Sequence, residues 1–192
     1  MAKKYEFQPD KPYSSWLAKL QLTKLQRKQV LKWCLYALLL ILVSVVQDVV
    51  LCRIRIWGGS TDLVPCAIFL ICMLEGSHRG SIFALIASTF YLMSGSAPGP
   101  HALVLITIPA IIVCIVREVY LRPRLLSVLF CTLLAMVVYE FSVFCFCLLL
   151  GSVTFDRLNS FWASALLSPI AVPILYLIAR PIMAIGGKSW KD

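Results

Sequence analysis

The chain has 192 residues, of which 60% are hydrophobic and 14% charged, against roughly half apolar and a quarter charged in an ordinary soluble domain. With a mean hydropathy of +0.88, its polar residues are too few to cover a water-soluble fold, and its apolar content excludes intrinsic disorder. Lys and Arg outnumber Asp and Glu by 18 to 9, a net charge of +9. No aromatic-interleaved basic surface or nucleic-acid motif accompanies the excess, so it points to anionic lipid headgroups rather than nucleic acid. The composition defines a polytopic, all-α membrane protein.

Residues 1–32 read as a basic cytoplasmic arm, with eight basic residues between Lys3 and Lys32. Pro9-Asp10-Lys11-Pro12 predicts an extended start. Ser14 to Trp33 predicts a juxtamembrane segment touching headgroups, because Lys24 and Arg27 share the sector of Trp16, Leu17, Leu20 and Leu31 and spoil its amphipathicity. The first apolar run follows about thirty polar and basic residues, too late for a cleavable leader. Segment 33–52 is therefore expected to remain as a membrane span.

Five further apolar segments follow, at 62–75, 80–93, 101–116, 125–150 and 161–182. A crossing needs about 20 residues, with about 17 as the lower bound. Segments 62–75 and 80–93 fall short, and the break Glu75-Gly76-Ser77-His78-Arg79-Gly80 is too polar for lipid. It is either a tight cytoplasmic turn between two short helices or the tip of a re-entrant hairpin. Six crossings is the preferred count, giving a six-span membrane domain over 33–182 and a short cytoplasmic tail at 183–192. Fifteen basic residues then lie on the cytoplasmic side and three, Arg53, Arg55 and Arg157, on the other. That asymmetry fits both termini in the cytoplasm of a bacterial plasma membrane.

Ionisable groups within spans are the first functional candidates. Asp48, beside Gln47, sits near the outer end of the first span. Glu140 lies slightly outward of the centre of the fifth, and Asp62 opens the second at the position of a helix N-cap. Asp48 and Glu140, at comparable depth, are expected to share a polar cavity, with Arg53 or Arg55 in reach to neutralise them. These three carboxylates are the candidates for a polar core or a partner-binding site. The inner half offers only Glu75 and Glu118, at span ends, too few for a proton or ion relay. His78 and His101 lie on opposite sides, and no nucleophile or zinc motif accompanies them. No enzymatic activity, metal or cofactor is expected.

Seven of the eight cysteines lie inside apolar segments, with Cys52 at a segment end, and none forms a CxxC pair. They read as small hydrophobes. Gly76 and Gly80, four apart and followed by Ala84 and Ala87, predict close helix packing; Gly95 and Gly99 are further packing candidates. Pro65, Pro109, Pro169 and Pro173 are expected to bend their helices.

Positions 61–105 carry a resemblance. Asp62-Leu63, Gly76, Arg79-Gly80, Ser94-Gly95, Gly99 and His101-Ala102-Leu103 match a pattern common in the rod shape-determining MreD family. Thr61, Ala84 and Tyr91 depart from it, Tyr91 standing where that family shows an acidic residue. The resemblance covers about a quarter of the chain. It implies a non-enzymatic membrane scaffold that binds a bitopic MreC-like partner and, with it, an MreB-like filament and cell-wall synthases, directing peptidoglycan synthesis and cell shape. It also implies a fold similar to the S components of energy-coupling-factor vitamin transporters, and hence a rival function as a substrate-binding component. The first span favours the scaffold, since after Ala37 it carries bulky residues where S components place small residues four apart. Beyond Trp57 there is also no aromatic-rich outer loop to stack a vitamin.

Overall fold

The computed structural model describes residues 24–53, 59, 61–120 and 125–185. Among them every long element is helical: α1 (Lys24–Val49), α2 (Leu63–Glu75), α3 (Ser77–Met93), α4 (Ala102–Tyr120), α5 (Leu125–Leu149), α6 (Leu158–Leu167) and α7 (Val172–Ile185). Most of the N-terminal arm, Arg55 and Trp57 of the first loop, the 121–124 part of the basic loop, and most of the C-terminal tail lie outside the described residues.

Four stretches are long and apolar enough to cross a membrane: Gln26–Val49, Ala102–Val119, Leu125–Leu149 and Phe155–Ile185. Large apolar side chains stand exposed along them, among them Leu38 and Ile41 of α1, Phe130 and Phe141 of α5, and Ile174 and Leu177 of α7. In water such a belt would be untenable; against acyl chains it has no cost. The chain is a membrane-embedded, multi-pass helical protein.

The two short segments find their explanation in packing. α2 has 13 residues, about 20 Å at 1.5 Å per residue, well below a hydrocarbon core of about 30 Å. Every residue from Leu63 to Leu74 is nevertheless buried, because α1, α3, α4, α5 and α7 all pack against it. Its length answers to protein rather than to lipid. α3, with 17 residues, runs back beside it after a turn of one residue, Gly76. The pair is thus two short helices joined by a tight turn, a geometry common to both sequence alternatives.

Gly76 makes that turn with φ +89°, a conformation in which a Cβ is strained, and the Arg117 guanidinium fills the space a Cβ would take. At Gly80 an added Cβ would lie 2.7 Å from Cys114 Sγ and 3.2 Å from the Cys72 Cα. Gly80 thus lets α3 approach both α2 and α4, and α3 buries Ala84 and Ala87 as well. Gly95 and Gly99 instead lie in the turn before α4, and a Cβ on Gly95 would meet nothing within 4 Å; neither sits against a neighbouring helix.

The last apolar segment is continuous in sequence but broken in structure. Pro169 falls in a 3-10 turn, Ser168–Ala171, between α6 and α7. Without N–H groups, Pro169 and Pro173 cannot continue the α-helical ladder there. Pro109 is accommodated inside α4, and Pro65 sits in the first turn of α2, where its missing N–H leaves no bond unmade. All described cysteines are free, with Cys66, Cys72, Cys114 and Cys131 buried.

Candidate polar cavity at one end of the central helix

The two ends of α2 carry the polar groups of the bundle. At the Glu75 end, Lys32 Nζ lies 2.6 Å from Glu75 Oε1 and donates to Oε2 at 2.7 Å, while the Tyr36 hydroxyl donates to Oε1 at 2.8 Å. Lys32 belongs to α1, which begins at Lys24 rather than at residue 33. Its side chain is buried in this pair instead of lying in an arm against headgroups. A cleft of about 290 Å³ opens beside the pair, lined by Glu75, Gly76, Ser77, His78, Arg79, Arg117 and Glu118.

At the Asp62 end a single side chain of α1 organises the start of α2. Gln47 Oε1 accepts the Val64 N–H at 2.9 Å and Gln47 Nε2 donates to Asp62 Oδ1 at 3.1 Å. Asp62 occupies the N-cap position but makes no side-chain cap. Its carboxylate is turned to Gln47, and the free N–H it was expected to bind is taken by the Gln47 carbonyl oxygen. The Asp62 N–H donates to Ser168 Oγ at 2.9 Å, and Ser168 Oγ donates to the Ser164 carbonyl at 2.8 Å. The proline-broken segment is thereby tied to the central helix.

Beside this junction lies a cavity of about 510 Å³, with Asp62, Tyr139, Glu140, Ser160, Ser164 and Arg157 among its lining residues. Glu140 is 5% exposed, and among the described residues its Oε1 has no hydrogen-bond partner; the buried Tyr139 hydroxyl has none either. Glu140 and Asp62 are close enough for their charges to repel. The backbone at Gly59 closes one side, because a Cβ there would sit 2.6 Å from the Ser160 carbonyl oxygen.

The candidate residues are thus brought together in part. Asp62 and Glu140 share the cavity; Asp48 does not line it. Asp48 is exposed and accepts a hydrogen bond from Ser96 Oγ at 2.7 Å, with Ser96 itself on the cavity wall. Among the described residues the basic side chain on the cavity wall is Arg157; Arg53 is exposed on the turn after α1, and Arg55 lies outside the described residues. Tyr91 is buried, and its hydroxyl donates to the Ser96 carbonyl at 3.2 Å. His101 stacks on Phe146, ring centroids 4.5 Å apart, on the α4–α5 side. Tyr139, Arg157 and the serines were not singled out by sequence reading. A usable signal existed in Ser160, Ser164 and Ser168, four residues apart on one face of an apolar segment.

A buried and a half-buried carboxylate, serine hydroxyls and an exposed guanidinium around a cavity make a site for recognition by charge and hydrogen bonds. Among the described residues no group of three or more His, Cys, Asp or Glu is placed to hold a metal ion. The fold and this cavity define the class as a compact helical membrane protein built around a short, buried central helix. No protein-family model, curated sequence or solved structure matches the chain.

Proposed function

We propose that the chain is a non-enzymatic, six-span scaffold of the MreD type in a bacterial plasma membrane, with both termini cytoplasmic and the Glu75 end of α2 facing the cytoplasm. Its work is positional. It binds the span of a bitopic MreC-like partner and, through that complex, an MreB-like filament and the synthases that elongate the peptidoglycan wall. The observation that carries the reading is the run of matches from Asp62 to Leu103. Its residues fall from the start of α2, on which most of the bundle packs, through α3 to the first turn of α4. The exposed apolar face of α1, with Leu38, Ile41, Leu42 and Val45, offers a partner span a surface of bulky side chains.

A second reading, an S component of an energy-coupling-factor vitamin transporter, is favoured by one observation, the cavity at the Asp62 end. Mass spectrometry of what co-purifies with the tagged chain in mild detergent separates the two. The scaffold reading expects a bitopic coiled-coil protein with cell-wall synthases, together with rounding or widening of rod-shaped cells when the gene is deleted. Two ATPases with a coupling subunit, and lost vitamin uptake with unchanged cell shape, would overturn it.

A further inference from the structure

Where α2, α3 and α4 meet near the Glu75 end, the fold brings two cysteines face to face. Cys72 belongs to α2 and Cys114 to α4, 42 positions apart in sequence, and both are fully buried. Gly80 of α3 makes room for them. A Cβ there would lie 3.2 Å from the Cys72 Cα and 2.7 Å from Cys114 Sγ, so α3 puts no side chain between the two at this point. The thiols are within hydrogen-bonding reach of each other. Each also donates to the main chain, Cys114 Sγ to the Cys72 carbonyl at 3.7 Å and Cys72 Sγ to the Gly80 carbonyl at 3.3 Å.

A buried free cysteine by itself acts as a small hydrophobe, as does Cys66 farther along α2, which bonds to the Ser168 carbonyl. Two thiols in contact have a further chemistry, because the loss of two electrons and two protons joins them. An S–S bond of about 2.0 Å requires only that each sulfur give up a bond to a carbonyl and turn to the other. Those bonds are weak, since a thiol is a poor donor.

The surroundings distinguish the two sulfurs. Cys114 lies one helical turn from Arg117, whose positive charge acts on it, and it interacts with the Ser81 hydroxyl. Arg117 in turn lines the cleft of about 290 Å³ beside Glu75. Redox-active cysteines are found next to such positive charge, with a second cysteine placed to resolve the first oxidation product. Burial selects the oxidant. Neither residue has exposed surface, so the molecule that reaches them is small and uncharged, as hydrogen peroxide is.

We propose that Cys72 and Cys114 are a reversible redox pair that hydrogen peroxide converts to a disulfide, locking α2 to α4. The Cys114 thiolate attacks one peroxide oxygen, the O–O bond breaks, and the departing hydroxide takes up the Cys114 proton as water. Cys114 is then a sulfenic acid. The Cys72 sulfur attacks it, the S–O bond breaks, and the oxygen leaves as a second water with the Cys72 proton. Two thiols are oxidised by two electrons and one peroxide is reduced to two waters. A dithiol reductant reverses the bond by exchange. The loop so closed contains all of α3. The inference stands apart from the scaffold reading, since it depends only on how α2, α3 and α4 pack.

The test uses the full chain, in native membranes and in mild detergent. After exposure to hydrogen peroxide the protein is denatured in the presence of N-ethylmaleimide, which caps remaining thiols, and mapped by peptide mass spectrometry. The expected product is a pair of peptides joined through Cys72 and Cys114 and separated by dithiothreitol. In mixed micelles with rising dodecyl sulfate, the oxidised chain should unfold at a higher detergent fraction than the reduced one, because the bond restricts the unfolded state. Cys114→Ala and Cys72→Ala should each abolish that shift. In Cys72→Ala the sulfenic acid on Cys114 has no resolving thiol and should be trapped by dimedone. The mapping requires no variant, so the proposal stays testable where a substitution prevents folding. Recovery of both Cys72 and Cys114 as maleimide adducts after peroxide treatment overturns it, as does their recovery as separate sulfinic acids or a disulfide joining either to another cysteine.

Discussion

The two ends of α2 pose the same physical problem and meet it differently. Each places a carboxylate, Glu75 or Asp62, inside a bundle whose outer faces belong to lipid. At Glu75 the neighbours close the account of charge within the chain: Lys32 supplies the cation and Tyr36 a hydrogen bond. At Asp62 the described neighbours are neutral, among them Gln47 and Ser168, and a second carboxylate, Glu140, is added whose Oε1 has no partner among the described residues. One end serves the fold. The other keeps polar capacity in reserve beside a cavity, as a binding site does.

Breaking the closed end is expected to have the largest effect. Lys32→Met removes the cation bonded to Glu75 and leaves only the charge of Arg117 nearby, and stability should fall by about 3 kcal/mol. Unfolding in mixed micelles with rising dodecyl sulfate measures the loss. Adding Glu75→Met removes the stranded charge and should return much of it. A single variant as stable as the parent would mean that the pair does not anchor this end.

Next in size is the contact that lets α3 reach the centre. Gly80→Ala puts a Cβ 2.7 Å from Cys114 Sγ, and overpacking of this kind costs about 1–3 kcal/mol. Cys114→Ala in the same chain removes the sulfur and should relieve part of the loss. The backbone of Cys72, at 3.2 Å, cannot be relieved in that way, so full rescue would show that the glycine matters less to α2 than its position suggests. Gln47→Ala then tests the open end. It leaves the Val64 N–H without its acceptor and removes one donor from Asp62, for an expected cost of about 1–2 kcal/mol, measured in the same unfolding assay.

The periodicity and length of the apolar runs made the helical elements legible, because a lipid environment forces every unbroken run into a helix. The ambiguity lay where that rule loses its grip. Segment 62–75 is too short for a bilayer, and nothing in its own composition says that five other helices surround it. Its burial depends on where α1, α4, α5 and α7 go. The same holds for Lys32, which reads as one more charge of a basic arm until Glu75 is found opposite it. Asp62 and Glu140 were visible as costly residues in apolar segments. Their meeting across 78 positions of sequence was not, nor was the role of Gln47, whose amide takes the capping bond from the aspartate at the N-cap position. Arg157 was assigned to the right end of the molecule by charge asymmetry, yet its place on the cavity wall depends on how α6 leans against Gly59.

The sharpest use of the comparison is the smallest expected effect. If Glu140 were a structural residue like Glu75, replacing it would destabilise the bundle by kilocalories. The geometry gives the opposite expectation. Glu140→Gln keeps the size of the side chain and breaks no hydrogen bond at Oε1, which has no partner among the described residues. In the absence of ligand its effect on unfolding should be within about 0.5 kcal/mol of zero, or slightly stabilising. Glu75→Gln, made in parallel, strips the Lys32 pair of its negative charge and should destabilise by more than 1 kcal/mol. The same chemical change at two buried glutamates then has two outcomes, and only the one at Glu140 leaves the folded chain intact for measurements of binding. A large loss of stability at Glu140 would move this residue to the side of Glu75 and make the cavity part of the fold's own support.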